Sequence, residues 1–285
     1  MIQIHEFVGE ESGTHLLILG GIHGNEVCGP RALSKLVDEL RGGKRTLAKG
    51  RLTIVPVCNP RAHAANVRFI EENLNRVFEP SDAPKSYERR LAQSLAPLVA
   101  RCDALLDLHS MQSKGEAFSV LNQDRPGSAS LCRALGTRWM LSGWPEVYRD
   151  HADKDSCCTQ SLADRHDKAS ALIECGQHGS VEADRVAEIA IERALAHFGL
   201  GGLAAGHVAN LEPRRVHLRS VHFRESDGDR LLKDFENFES LRQGDPIVKR
   251  ADGRVEHAPE DGVIVFPSPH SAIGTELYYL GKLQG

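Results

Sequence analysis

Between Thr14 and Gly199 the chain alternates short apolar runs with segments of helical period, and few architectures accommodate that order. "THLLILGG" is short, apolar and closed by glycines, so it reads as a buried strand. "EVCGPRALSKLVDELRGG" reads as a helix: Ala32, Leu33, Leu36, Val37 and Leu40 recur on one face, and Gly42-Gly43 ends it. "RLTIVPVCNP" is a second strand, ended by Asn-Pro. "YERRLAQSLAPLVARC" is a helix whose proline predicts a kink. "DALLDLHS" and "ASALIECG" are further strands, and "VEADRVAEIAIERALAHFG" is a helix stopped by glycine. Strands separated by helices predict an α/β fold, with a mostly parallel sheet and helices on both faces.

The pattern changes after "GLGGLAAG". Short strand-like pieces then follow one another, broken by Asp-Gly, Gly-Asp and Pro turns. This predicts a main domain over residues 1–205 and a small β-domain over 206–285 that caps the active site. A chain of 285 residues that is 41 % hydrophobic has enough material for both.

Charge and cysteine usage narrow the function. The formal net charge is −4, with no long run of like charges, which argues against nucleic acid as a partner. No apolar run is long enough to cross a membrane, and Met1 to Glu10 has no apolar signal-peptide core. Seven cysteines, an odd number without C-x-x-C spacing, suit a reducing cytosol, so a cytoplasmic location is expected. Cys28 and Cys175 are expected to be small packing residues. The predicted partner is a small molecule; a homodimer stays open.

Four chemistry-bearing residues fall at the carboxyl ends of three predicted strands, where open α/β sheets bind ligands. His23 and Glu26 form an H-x-x-E pair after the first, His109 closes "DALLDLHS", and Glu174 closes "ALIECG". Singly, each has a bland explanation as a surface pair, a hydrogen-bonded histidine or a turn cap. Together they match the two-histidine, one-carboxylate set of catalytic zinc sites, with one carboxylate over for proton transfer. Between them, "NPRAHAANVRFIEENLNRVF" interleaves Arg61, Arg68 and Arg76 with Asn73 and Asn75. That combination suits a carboxylate ligand, although composition alone fits a solvated helix equally well.

H-x-x-E at 23–26, N-L-N-R at 73–76, D-L-H at 107–109 and I-E-C-G at 173–176, in this order, resemble one family. It is the succinylglutamate desuccinylase/aspartoacylase family of the zinc carboxypeptidase-like superfamily. The resemblance covers residues 15–180, and a β-domain after 206 fits it. It implies one zinc ion per subunit on His23, Glu26 and His109, with Asp107 orienting His109. It implies Glu174 as general base and then acid, and Arg68 as the group polarising the scissile carbonyl. Asn75 and Arg76 would grip a substrate carboxylate, with Arg165 and Tyr278 as further candidates and Tyr279 as a rival to Tyr278. The family usually has aspartate where this chain has Asn73, which removes a negative charge expected to lie near the arginines. The implied activity is zinc-dependent hydrolysis of the amide bond in a small N-acyl amino acid of the N-acetyl or N-succinyl type, the amine side expected to be acidic or to carry at least one carboxylate. A carboxypeptidase-like metallopeptidase and a non-catalytic zinc module share the same residues and rank below it.

Overall fold

A computed structural model of the chain describes residues 1–79, 83–149, 157–201 and 212–284. It opens with β1 (His5–Val8), β2 (Glu11–Gly20), α1 (Cys28–Arg41), β3 (Lys49–Val55) and α2 (Pro60–Ala65). A short 3-10 turn at Leu74–Arg76 precedes α3 (Tyr87–Arg101) and β4 (Ala104–Met111). There follow β5 (Phe118–Val120), α4 (Pro126–Leu135), β6 (Trp139–Ser142), α5 (Trp144–Val147) and α6 (Thr159–Arg165). Then come β7 (Ala169–Gln177) and α7 (Val181–His197). The remaining strands are β8 (Arg214–Phe223), β9 (Arg230–Leu231), β10 (Ser240–Leu241), β11 (Pro246–Lys249), β12 (Val255–His257), β13 (Gly262–Val265) and β14 (Glu276–Leu283).

The predicted strands and helices form where the apolar periods place them. β2 is the central case. Leu16 to Leu19 are all fully buried, because alternate side chains enter two different cores. Leu16 and Ile18 pack with Leu33 and Leu36 of α1, Leu131 of α4 and Ile191 of α7. Leu17 and Leu19 pack on the other face with Leu91, Leu95 and Leu98 of α3 and Leu162 of α6. Two covered faces explain an unbroken apolar run, as expected for a parallel strand. Ser86 and Ser180 cap α3 and α7 by accepting from Arg89 N and Ala183 N. The helix α3 runs through Pro97 to Arg101.

β3, β2, β4 and β7 pair in parallel, and β5, β6 and β8 do the same. The edge strand β1 and the β5–β7 junction are antiparallel. The C-terminal strands do not form a detached sheet. β8 pairs in parallel with β6, then β14, β13 and β10 continue outward, so among the described residues one sheet holds eleven strands. β12, β11 and β9 make a separate three-stranded antiparallel sheet, with Phe235, Ile247, Ile264 and Leu277 among the buried side chains beneath it. The expected boundary at residues 205 and 206 lies outside the described residues. All seven cysteines are buried free thiols. Among the described residues no helix is long and apolar enough to cross a membrane.

Candidate metal centre

β2 delivers the chain to the site at Gly20, and the loop beyond it must turn sharply. Gly21 adopts φ +58°, a conformation that favours glycine. Gly24 packs directly on α2, where an added Cβ would lie 2.1 Å from the Ala62 carbonyl carbon. The loop is pinned there because Gly24 N donates to Arg68 O at 3.1 Å, and His63 Nδ1 lies 3.0 Å from Gly24 O. Glu26 therefore sits in the turn before α1, which starts at Cys28, two residues later than its sequence pattern suggests.

This turn brings His23 and Glu26 to His109, in the second half of β4. One ligand atom from each of the three lies within 4.8 Å of the others, and all three residues are buried. Both imidazoles aim Nδ1 at the same carboxylate: His23 Nδ1 is 2.8 Å from Glu26 Oε1, and His109 Nδ1 is 2.9 Å from Oε2. Ser110 N and Arg68 Nη1 also donate to this carboxylate, each at 3.1 Å. The far edges of both rings are held from behind. His23 Nε2 is 2.9 Å from Asn73 Oδ1. His109 Nε2 is 3.1 Å from Asp107 Oδ2, off the line of a well-aligned hydrogen bond. Asp107 is itself fixed by Thr159 Oγ1 at 2.6 Å.

The electrostatics fit a cation. Burial, aided by the Arg68 charge, brings the His23 pKa down to about 4, so its ring is neutral, the form that binds metals. For Glu26, burial works against ionisation, but His23 and His109 hold the carboxyl well below its usual range. For His109, burial favours the neutral ring, while Asp107 and Glu26 outweigh it and raise the pKa. Two Nδ1 atoms converge on one buried carboxylate. This donor set fits a divalent cation, with His23 held from behind by Asn73 and His109 backed by Asp107.

Glu174 lies beside this set. It is the register partner of His109 on the neighbouring strand β7, so the two side chains leave the sheet on the same face. Its Oε2 is buried with no hydrogen-bond partner. Burial, and then the charge of Glu26, push its pKa up to about 8.

The arginine-rich segment is organised around a residue that belongs to none of the sequence motifs. Glu88, in the first turn of α3, is fully buried and accepts from Asn59 Nδ2 and from the backbone N–H groups of Ile70, Glu71 and Glu72. It fastens the loop between Arg68 and Asn73 to α3 and to Asn59 at the start of α2. The only sequence signal for it was an acidic residue in a first helical turn, which helix dipoles commonly attract. In that 3-10 turn, Asn75 Oδ1 accepts from Thr159 N at 3.0 Å, fastening the turn to the start of α6. Arg76 Nη1 donates to Asn75 O at 3.0 Å, and its Nη2 is 3.8 Å from Glu276 on β14.

The geometry places three of the residues singled out in the sequence as follows. Asn73, which stands where the family usually has aspartate, holds His23 and caps the turn through Asn75 N. Arg165, a candidate carboxylate binder, is half-exposed and engages Glu79, its Nη1 at 2.8 Å from Glu79 Oε2. Tyr278 points away from Arg76: its hydroxyl donates to Glu256 at 3.0 Å and its ring stacks on His222. The neighbouring Tyr279 faces the Arg76 side, with its hydroxyl 2.5 Å from that of Tyr148, which donates to Glu276 at 2.6 Å. A β-bulge between Glu276 and Tyr278 lets Glu276 and Tyr279 converge, a departure from simple alternation that no sequence pattern marked.

The profile described as the succinylglutamate desuccinylase/aspartoacylase catalytic domain matches residues 12–197, which span His23, Glu26, Arg68, Asn73, Asn75, Arg76, His109 and Glu174. The chain belongs to the succinylglutamate desuccinylase/aspartoacylase family. It is therefore one of a family of metal-dependent deacylases that act on amide bonds. It is 28 % identical over 277 residues to a succinylglutamate desuccinylase of Vibrio cholerae serotype O1 (strain M66-2), covering 91 % of this chain and 78 % of that one. Solved structures share the fold. A succinylglutamate desuccinylase/aspartoacylase from Rhodobacter sphaeroides superposes with a TM-score of 0.76 at 19 % identity, over 100 % of this chain and 89 % of that one. The product-bound ectoine utilization protein EutE of Ruegeria pomeroyi gives 0.75 at 20 % identity, over 98 % and 88 %.

Proposed function

We propose that the protein is a zinc-dependent amidohydrolase that splits a small N-acyl amino acid into a carboxylate and a free amino acid. The observation that carries this reading is the convergence of His23, Glu26 and His109 on one point, with Glu174 beside them and Arg68 on Glu26. Family membership and the likeness to the Vibrio cholerae desuccinylase support the same chemistry. Two imidazoles and one carboxylate are a zinc-type donor set.

His23, Glu26 and His109 would hold the zinc ion, which would supply Lewis-acid chemistry, acidifying water and polarising an amide carbonyl. The rest falls to side chains of the chain. Glu174 takes a proton from the attacking water and later passes it to the leaving amine nitrogen. Its raised pKa suits the second role, and a neighbouring cation would favour the carboxylate needed for the first. Arg68, 3.1 Å from Glu26 at the edge of the site, would donate to the carbonyl oxygen on which negative charge grows. Arg76 meets the substrate carboxylate, with Tyr279 on the same side, and Asn75 fixes the turn that carries it. The β14 end of the C-terminal region reaches Arg76 through Glu276, which is what a cap over the site requires.

The experiment is a pair of substitutions with metal content and turnover measured together. Glu174→Gln should keep its zinc and lose at least about 100-fold in kcat, the usual scale for a general base. His109→Ala should lose the metal. A Glu174→Gln protein that emerges without zinc, or a His109→Ala protein at full occupancy, would overturn the assignment.

A further inference from the structure

Behind His109 stands a residue that no sequence motif contains. Asp107 is fully buried and lies two residues before His109 on β4, so the two side chains leave the strand on one face. Asp107 Oδ2 lies 3.1 Å from His109 Nε2 and accepts from Thr159 Oγ1 at 2.6 Å. Asp107 Oδ1 has no hydrogen-bond partner among the described residues. The Thr159 hydroxyl therefore supplies the short, charge-assisted bond that fixes this carboxylate. Thr159 also reaches the other half of the site through its backbone. Its N–H donates to Asn75 Oδ1 at 3.0 Å, and the Asn75 carbonyl accepts from Arg76 Nη1 at 3.0 Å.

The platform under Thr159 is rigid. Thr159 is fully buried and is the first residue of α6. That helix is locked at three further points. Gln160 Nε2 donates to Val120 O at 3.0 Å, and Asn122 Nδ2 donates to Asp164 Oδ2 at 2.7 Å. Leu162 packs in the core with Leu91 and Leu95 of α3. One immobile residue thus touches both the carboxylate behind a metal ligand and the amide that sets the turn before Arg76. The two contacts use different atoms, so substitution separates them: a side chain without the hydroxyl still leaves the N–H to Asn75.

We infer that Thr159 is a positioning residue for the reaction. Its hydroxyl holds Asp107, and through it His109, in the metal-binding orientation, while its backbone N–H sets the turn that carries Arg76. The inference rests on the proposed zinc-dependent hydrolysis, and its first readout is metal affinity, not turnover. Thr159→Val keeps the shape and the backbone N–H and removes the hydroxyl. Its zinc affinity, measured by competition with a chromophoric chelator, should fall by about 10- to 100-fold, the usual scale for a group behind a metal ligand. Turnover is then followed at saturating zinc with N-acetylaspartate or N-succinylglutamate, whichever the unmodified protein hydrolyses. There kcat should fall by at least about tenfold and KM should change by less than about threefold, because the bond to Asn75 survives. Thr159→Ser keeps the hydroxyl and should bind zinc within about threefold of the unmodified protein. If Thr159→Val does not fold, Thr159→Cys, with only a weak S–H donor, carries the same comparison. Zinc bound as tightly by the variant without the hydroxyl as by the unmodified protein would overturn the inference. So would Thr159→Ser losing as much affinity as that variant, since the methyl group and not the hydroxyl would then be at work. If neither substrate is hydrolysed, the zinc affinities alone still decide. Zinc absent from the unmodified protein would overturn the proposed function, and the inference with it.

Discussion

At the scale of single residues, Asn73 is the informative position. Sequence reading placed the missing aspartate charge beside the arginines, yet its amide oxygen lies 2.9 Å from His23 Nε2 and also accepts from Asn75 N. A neutral acceptor behind a ligand imidazole selects the tautomer that leaves Nδ1 free, without the added basicity that a carboxylate confers. Asn73→Ala should therefore weaken zinc binding by about 10- to 100-fold, measured by competition with a chromophoric chelator. Unchanged affinity would mean that the turn, and not this hydrogen bond, orients His23. His23, Glu26, His109 and Glu174 were all legible in the sequence, because each is a chemically unusual residue at a predicted strand end. Glu276 and Tyr148 were not legible. Nothing in a lone glutamate or tyrosine announces the partner it meets 128 residues away.

At the scale of elements, the site depends on how a loop without regular structure is held. Residues 66–72 have no ladder to satisfy their backbone, so Glu88 of α3 supplies the acceptor for Ile70, Glu71 and Glu72. Glu88→Ala leaves these donors and Asn59 Nδ2 without their partner. It should cost about 2–4 kcal/mol in denaturant unfolding, with activity falling further than stability because Arg68 and Asn73 lose their register. Activity kept intact in a folded variant would show that the loop holds its shape without this carboxylate. Burial opposes ionisation of Glu88, but the hydrogen bonds from Ile70, Asn59, Glu72 and Glu71 prevail and lower its pKa. Its contribution is thus present above the ordinary glutamate range and is lost as pH falls through and below it. The helices and strands of the first 200 or so residues were readable because burial on two faces writes continuous apolar runs. The loops at 21–27 and 66–76 were not, since their conformation is set by contacts with α2, α3 and α6.

At the scale of the whole molecule, the C-terminal strands decide how the protein is assembled. The change in sequence pattern was legible, but β8, β14, β13 and β10 extend the main sheet, and only β9, β11 and β12 stand apart. A buried ion pair anchors this region: Arg250 donates to Asp229 Oδ2 at 2.8 Å and to Glu256 Oε1 at 2.6 Å. Burial raises the Asp229 pKa, but hydrogen bonds from the backbone of Glu225 and from Arg250 override it and bring the value down to about 2. Its stabilising effect is full above the ordinary aspartate range and disappears as pH drops toward 2. Asp229→Ala should unfold more easily at pH 7, by about 1–3 kcal/mol, because Arg250 keeps Glu256 but loses Asp229, and should show a shallower acid transition. Equal acid transitions by circular dichroism would refute this. By itself the sequence determined the α/β alternation and singled out His23, Glu26, His109 and Glu174, since local period and residue chemistry are written along the chain. Only tertiary structure decided that Asn73 holds His23, that Tyr279 and not Tyr278 faces Arg76, and that Glu276 neutralises it. Those depend on a bulge, a loop anchor and a shared sheet edge, all products of contacts between residues far apart in the chain.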